Sequence, residues 1–175
     1  MKIPFEKFTI KECGIEHLDE ILKMQEEAIL TLPSADILRK NTPEMIESCL
    51  LKPHITIGAF YEGMLAAISV LYFPGDSEED LSHYLAGIDA DGLKTANNKL
   101  CIVRERFRGN GLQYKLGVIL ERYAAEENVK LMCSTVSPKN PYSINNIIKL
   151  GFTYNRTLTL DKYGGVERNL YYKFI

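Results

Sequence analysis

The sequence predicts one mixed α/β (α+β) domain spanning residues 1–175, and three observations carry that prediction. Leu100 to Val103 is a short apolar run with β-branched members, followed by a glycine loop and then by apolar positions at helical spacing, so strand, turn and helix start follow one another directly. Two runs, His54 to Tyr61 and Met64 to Phe73, are separated by Glu62-Gly63, a two-residue hairpin signal for an antiparallel pair. Val129 to Ser134 then reads as a strand beyond the helix, and a strand–helix–strand succession is the crossover that parallel pairing requires.

Each element has its own reason. Phe8 to Lys11 alternates apolar and polar residues, as a first strand does. Glu16 to Leu30 places Leu18, Ile21, Leu22, Met24, Ala28 and Ile29 on one helical face, and Pro33 stops it. Thr42-Pro43-Glu44 opens a second helix with a capping hydroxyl, proline at the first position and an acid near the positive dipole end; it runs to about Leu51. Pro74 to Asn98 has no clear pattern beyond one or two helical turns at Leu81 to Ala86, and a loop this long in a small domain is commonly functional or disordered. Its acidic run, Asp76 to Asp80, reads as a solvated surface, or as a selector for a basic amine if it borders a cleft. The central helix starts at Leu112 and reaches about Asn128. Asn140-Pro141 opens the last helix, which ends at Gly151. Phe152 to Leu160 and Glu167 to Phe174 complete the set as two strands around Gly164-Gly165. Seven strands and four helices result.

Composition narrows the function. The formal net charge is -2 with both signs interspersed, so no basic footprint for nucleic acid is expected. No run approaches the roughly 18 apolar residues of a membrane span, and the first residues lack a signal peptide's apolar core, so a cytoplasmic protein is expected. Cys13, Cys49, Cys101 and Cys133 are scattered without a CxxC and read as reduced, with no metal expected. His17 and His54 read as an exposed residue and a strand-edge residue, and no G-x-S-x-G is present.

The glycine loop carries the chemistry. Gly109 and Gly111 have no Cβ, so they can turn tightly and bring a ligand close to the main chain. A helix N-terminus there offers unpaired amides and a positive dipole end, an anion seat. The P-loop pattern and the three-glycine dinucleotide pattern are both absent. Arg108-Gly109-Asn110-Gly111-Leu112-Gln113 resembles the pyrophosphate motif of the GNAT superfamily, the acyl-coenzyme A-dependent N-acyltransferases, although Gln113 stands where that motif has Gly or Ala. By itself the stretch is also compatible with an ordinary β-to-α turn. A second motif strengthens the resemblance: Asn140, Ser143, Lys149, Gly151 and Phe152 fall at the superfamily's spacings, and the order of elements is that of the GNAT fold.

The resemblance implies a central mixed, mostly antiparallel sheet of about seven strands flanked by about four helices. It implies an N-acetyltransferase that moves the acetyl group of acetyl-CoA, its cosubstrate, directly to a primary amine, or alternatively a non-catalytic acyl-CoA-binding domain. Arg108, Gly109, Asn110, Gly111, Leu112 and Gln113 would seat the pyrophosphate, mostly through their backbones. Cys101 and Val103 would offer backbone groups to the pantetheine arm, with the Val103 amide also polarising the thioester. Asn140 and Ser143 would face the same arm, although Asn140 also reads as a plain helix cap. The superfamily's usual acid, a tyrosine, aligns with Ile147; Tyr142 lies five residues away, about 140° around the helix, and is expected to face elsewhere. An alkyl amine with a pKa near 10.4 is neutral in only about one molecule in 10³ at pH 7, so a base is the more useful group. His83, Asp89 and Asp91 are candidates by type only. The implied partner is an amine-bearing substrate, a small molecule in preference to a protein, and the aromatic-rich last strands are compatible with a homodimer or with ordinary core.

Overall fold

The computed structural model describes residues 1–175. Its elements are β1 (Thr9–Glu12), α1 (Leu18–Thr31), α2 (Pro43–Cys49), β2 (Ile55–Tyr61), β3 (Met64–Tyr72), β4 (Thr95–Val103), α3 (Leu112–Glu126), β5 (Leu131–Val136), α4 (Pro141–Lys149), β6 (Thr153–Thr159) and β7 (Glu167–Phe174), with short 3₁₀ turns between them. The seven strands form one sheet in the order β1-β2-β3-β4-β5-β7-β6. Only β4 and β5 pair in parallel, because α3 carries the chain back between them; every other pair is antiparallel. The mixed sheet and four α-helices are those expected. The β2–β3 hairpin turns on Glu62 and Gly63, both at positive φ, the conformation a two-residue turn of this hand needs.

Strand alternation gives the sheet a core on each face, with a third, smaller cluster of Leu81, Leu131, Cys133, Leu158 and Leu170. On one face Leu112, Leu116, Leu120 and Ala124 of α3 pack with Ile147 of α4 and with Leu150 at its C-cap over Ala67, Ala96 and Met132. On the other, Ile21, Met24 and Ala28 of α1 and Ile46 and Cys49 of α2 cover Leu65, Ile68, Val70, Leu100 and Ile102. Each fully buried leucine or isoleucine contributes about 1.5–3 kcal/mol. Arg104 fixes α1 to the end of β4: Nη1 donates to Glu27 at 2.6 Å and Nε to the Leu65 carbonyl at 2.8 Å. All four cysteines are free, and burial pushes the thiols of Cys13, Cys101 and Cys133 up to about 12 and that of Cys49 up to about 11, so they stay protonated at neutral pH. No helix is long and apolar enough to cross a membrane.

Several boundaries move for tertiary reasons. β4 starts at Thr95, not Leu100, because Thr95, Ala96 and Asn97 pair with Leu131, Met132 and Cys133 of β5. That shortens the unpatterned stretch to 74–94, within which Leu81–Tyr84 is one 3₁₀ turn. β5 lies two residues later than the apolar run suggests, since the Val129 amide is spent on the Ala124 carbonyl in closing α3. His17 is not exposed: its Nδ1 accepts from the Gly14 amide at 3.1 Å and its ring lies against Phe60. His54 stacks on Tyr72 and accepts from the Phe73 amide at 3.0 Å, and burial holds its pKa below the usual value.

Candidate functional site

The site begins where the sheet opens. β4 and β5 pair through Asn97 and Cys133 and no further, although β4 runs on to Val103 and β5 to Val136. A register shift leaves Lys99 as an extra residue on β4 between Asn98, opposite Leu71, and Leu100, opposite Val70, and such a bulge bends its strand. The bend falls at the point where pairing with β5 stops. Beyond it, the Arg104 amide bonds the Ala66 carbonyl of the preceding strand at 2.9 Å, so alternation turns the backbones of Leu100 and Ile102 toward β3 and those of Cys101 and Val103 into the gap. Side chains partly bridge the opening: Ser134 Oγ donates to the Asn98 carbonyl at 3.0 Å, and Arg108 Nε to the Val103 carbonyl at 3.3 Å. The resulting cleft has a volume of about 1070 Å³ and runs through the sheet from one face to the other.

At one end lies the glycine loop. The first helical bond of α3 runs from the Lys115 amide to the Gly111 carbonyl, and no amide from Gly109 to Tyr114 donates to a protein acceptor. Gly111 sits at φ 71°, ψ 17°, left-handed backbone that L side chains avoid, and as a cap without a side chain it leaves those amides open. Asn110 does not face the cleft: its Oδ1 accepts from the Ile3 amide at 2.7 Å and its Nδ2 donates to the Phe107 carbonyl at 3.0 Å, which pins the N-terminal segment to the loop. Any part it has in anion binding is through its backbone. The Gln113 side chain turns to α4, where Nε2 donates to Ser143 Oγ at 3.2 Å and Oε1 accepts from Asn146 at 3.2 Å. Asn140 caps α4 through the Ser143 amide at 3.1 Å and also donates to Ser143 Oγ at 3.0 Å. The cleft is therefore bordered by Cys101, Val103, Arg108, Gly109, Gly111, Leu112, Gln113, Asn140 and Ser143, all residues the sequence singles out.

The other end has a different character. Leu32, Pro33, Ile37 and Leu38 from the α1–α2 connection give it an apolar wall, Arg39, Glu79, Lys99 and Arg168 give it charge, and Tyr163 adds a phenol. Glu79 is the one carboxylate on the lining, and it is paired with Lys99 at 2.9 Å and Arg39 at 3.8 Å. Burial pushes its carboxyl up, but the Lys99 hydrogen bond and the charges of Lys99, Lys162 and Arg39 outweigh this and hold it below the usual range. The Tyr163 phenol is pushed up, by burial first, despite the nearby Thr135 hydroxyl and the charge of Arg39, and is protonated at neutral pH.

The base candidates fall elsewhere. His83, with a 60% exposed side chain, Asp89 and Asp91 do not line the cleft; the Asp89 carboxylate accepts from the Asp91 amide in a surface turn. Ile147 is 3% exposed in the core between α3 and α4, and an apolar side chain there can move no proton. Tyr142 is 81% exposed at the rim. Sequence reasoning missed Arg39, Tyr163 and Arg168. A signal existed for the last: Arg168 holds the same alternation on β7 as the buried Leu170, an inward position for a charge.

No protein-family model matches the chain, and no curated protein matches it in sequence. Solved structures do. An acetyltransferase of the GNAT family from Streptococcus pneumoniae superposes with a TM-score of 0.68 at 19% identity, over 96% of this chain and 99% of that one. The ribosomal-protein-alanine N-acetyltransferase of Brucella melitensis gives a TM-score of 0.72 at 16% identity, over 95% and 99%. The Arabidopsis thaliana protein NAA60, solved in complex with acetyl-CoA, gives 0.71 at 15%, over 96% and 98%. At such identities the likeness is one of architecture, and with its seven-stranded mixed sheet and four flanking helices the chain has the GNAT fold.

Proposed function

We propose that the protein is an N-acetyltransferase that moves the acetyl group of acetyl-CoA directly to the primary amine of a small molecule, in a compartment that supplies acetyl-CoA, the cytoplasm being the expected one. The observation that carries this is the run of unpaired amides from Gly109 to Tyr114 at the mouth of a cleft split between β4 and β5. The residues present fit the cosubstrate. Amides at a helix N-terminus suit a pyrophosphate, and the open backbone of Cys101 and Val103 suits the amides of an extended pantetheine arm. Arg108, Gly109, Asn110 by its backbone, Gly111, Leu112 and Gln113 would form the seat, with Asn140 and Ser143 alongside. Bound there, acetyl-CoA supplies an activated acyl thioester. The Val103 amide faces the gap and would donate to the thioester carbonyl oxygen. Tyr163 is a protonated phenol on the lining. Glu79, held ionised by two cations, is a weak base, so the acceptor loses its proton to solvent before attack.

A second reading, an acyl-CoA-binding domain without turnover, is favoured by one feature, the buried Ile147 in place of a phenol. Thermal denaturation with acetyl-CoA, coenzyme A and ATP tests both. A ligand at a hundredfold excess over Kd stabilises by about 2.7 kcal/mol, about 5–10 °C for a chain of this size. A rise with acetyl-CoA and none with ATP supports the seat, and thiol release with amines then separates enzyme from binder. No rise with acetyl-CoA overturns the proposal.

A further inference from the structure

We infer that the acceptor amine carries its own carboxylate, which docks on Arg168 in the half of the cleft lined by Arg39, Lys99 and Tyr163. The inference rests on the acetyltransferase reading and names the substrate class of the same site. Arg168 is 6% exposed, lines the cleft, and makes no ion pair. Its Nη1 donates to the Ile37 carbonyl at 3.1 Å, while Nε is buried without an acceptor and Nη2 makes no hydrogen bond. The edge formed by Nε and Nη2 has the fork geometry that takes a carboxylate side-on; Nε is covered in this structure, so a carboxylate would meet Nη2 first and reach Nε as the side chain turns toward it. Protein carboxylates do not fill that role: Asp36, the one whose charge acts on Arg168, is engaged by Lys139 at 3.0 Å, and Glu79 is held by Lys99 and Arg39. A buried guanidinium with no counter-charge is costly to keep, and a site that keeps one is built for an anion that arrives with the ligand.

A second orphan lies deeper in the same cleft. Asn97, 2% exposed where β4 and β5 part, donates Nδ2 to the Glu79 carbonyl at 2.7 Å, which fixes its orientation and leaves Oδ1 buried without a donor. The two orphans have opposite demands, since Asn97 lacks an N–H and Arg168 lacks an anion. An amine with a carboxylate supplies both. Across the register, Asn97 stands opposite Cys133 and Cys133 opposite Tyr172, so Arg168 lies four residues further along β7, about 16 Å away between backbones before the two side chains reach inward. Arg39 and Arg168 both lie over Tyr163, with guanidinium carbons 5.0 and 5.9 Å from the ring centre, so the cations surround the acceptor's path. That field has a second effect: it opposes a bound ammonium and so favours the neutral, nucleophilic amine. Arg168 and Tyr163 also border a smaller pocket of about 390 Å³, but Asn97 does not, whereas the cleft is lined by both orphans.

The test is thiol release by the full-length protein with acetyl-CoA and matched acceptors: the twenty amino acids, ω-amino acids of increasing length, and the carboxamide of each. The expected result is a kcat/KM for at least one acid about 100-fold or more above that of its amide, because the amide leaves a buried charge unpaired. Arg168→Gln should raise KM for that acid and narrow the ratio toward one, while the thermal shift with acetyl-CoA stays as in the parent protein. If that variant does not fold, the acid-to-amide ratio of the parent protein decides. Amides acetylated as well as acids, or no acid acetylated while acetyl-CoA still binds, overturns the inference. No thermal shift with acetyl-CoA instead removes the reading on which it rests.

Discussion

Gly111 allows the anion seat to be tested in two steps that separate backbone from charge. At φ 71° it lies where a Cβ costs about 1–2 kcal/mol, and the Cβ itself would meet nothing within 4 Å, so Gly111→Ala carries a conformational cost without a clash. For a chain of this length that is a fall in Tm of about 2–8 °C. Coenzyme A affinity should change little, because the amides keep their directions. Gly111→Asp carries the same strain and adds a carboxylate at the helix N-terminus. At about 5 Å from a phosphate and an effective dielectric of about 20, one pair of unit charges repels by about 3 kcal/mol, and solvent exposure of the loop reduces the net effect to about 10–100-fold in Kd. Isothermal titration of both variants with coenzyme A at about 0.05 M and about 1 M salt measures the difference, which should shrink at high salt as screening shortens to about 3 Å. Equal affinities for Ala and Asp at low salt would show that no phosphate sits on this loop, and the cofactor seat would be refuted with it.

Two further outcomes follow from the same geometry. The only carboxylate on the cleft titrates below its usual range, so log kcat/KM should climb with a slope of about one per pH unit from pH 6 toward the acceptor amine's own pKa; a plateau between pH 6 and 7.5 would require a titrating cleft group that the structure does not contain. Asn110→Ala removes the acceptor of the Ile3 amide and should cost about 1–2 kcal/mol of stability while leaving coenzyme A affinity within about twofold, as read by chemical denaturation and titration; a large affinity loss at unchanged stability would mean that the side chain, not the backbone, meets the ligand.

The two halves of the cleft differ in how legible they are in the sequence, and the reason is physical. The half at Gly109 to Gln113 is built from contiguous residues, so strand pattern, glycine and helix start stand side by side in the chain and their joint meaning is local. The caps at Thr42 and Asn140 are legible for the same reason: each satisfies an amide three residues on. The acceptor half draws Arg39, Glu79, Lys99, Tyr163 and Arg168 from separate loops and strands, and apart from the inward alternation of Arg168 each alone has the local pattern of a solvated surface residue. Even the start of β4 is hidden, because Asn97 and Asn98 are poor strand formers that only pairing with β5 and β3 makes extended. What converts those scattered charges into a site is the splay of β4 from β5. The bulge at Lys99 opens the sheet, and the same residue sends its ammonium to Glu79, so the feature that admits a ligand also neutralises the one carboxylate that would otherwise repel an anionic one. With Glu79 shared between Lys99 and Arg39, this half of the cleft keeps a net positive charge and Arg168 is its cation without an ion pair, so the selectivity of the cleft follows from a strand irregularity rather than from any contiguous motif.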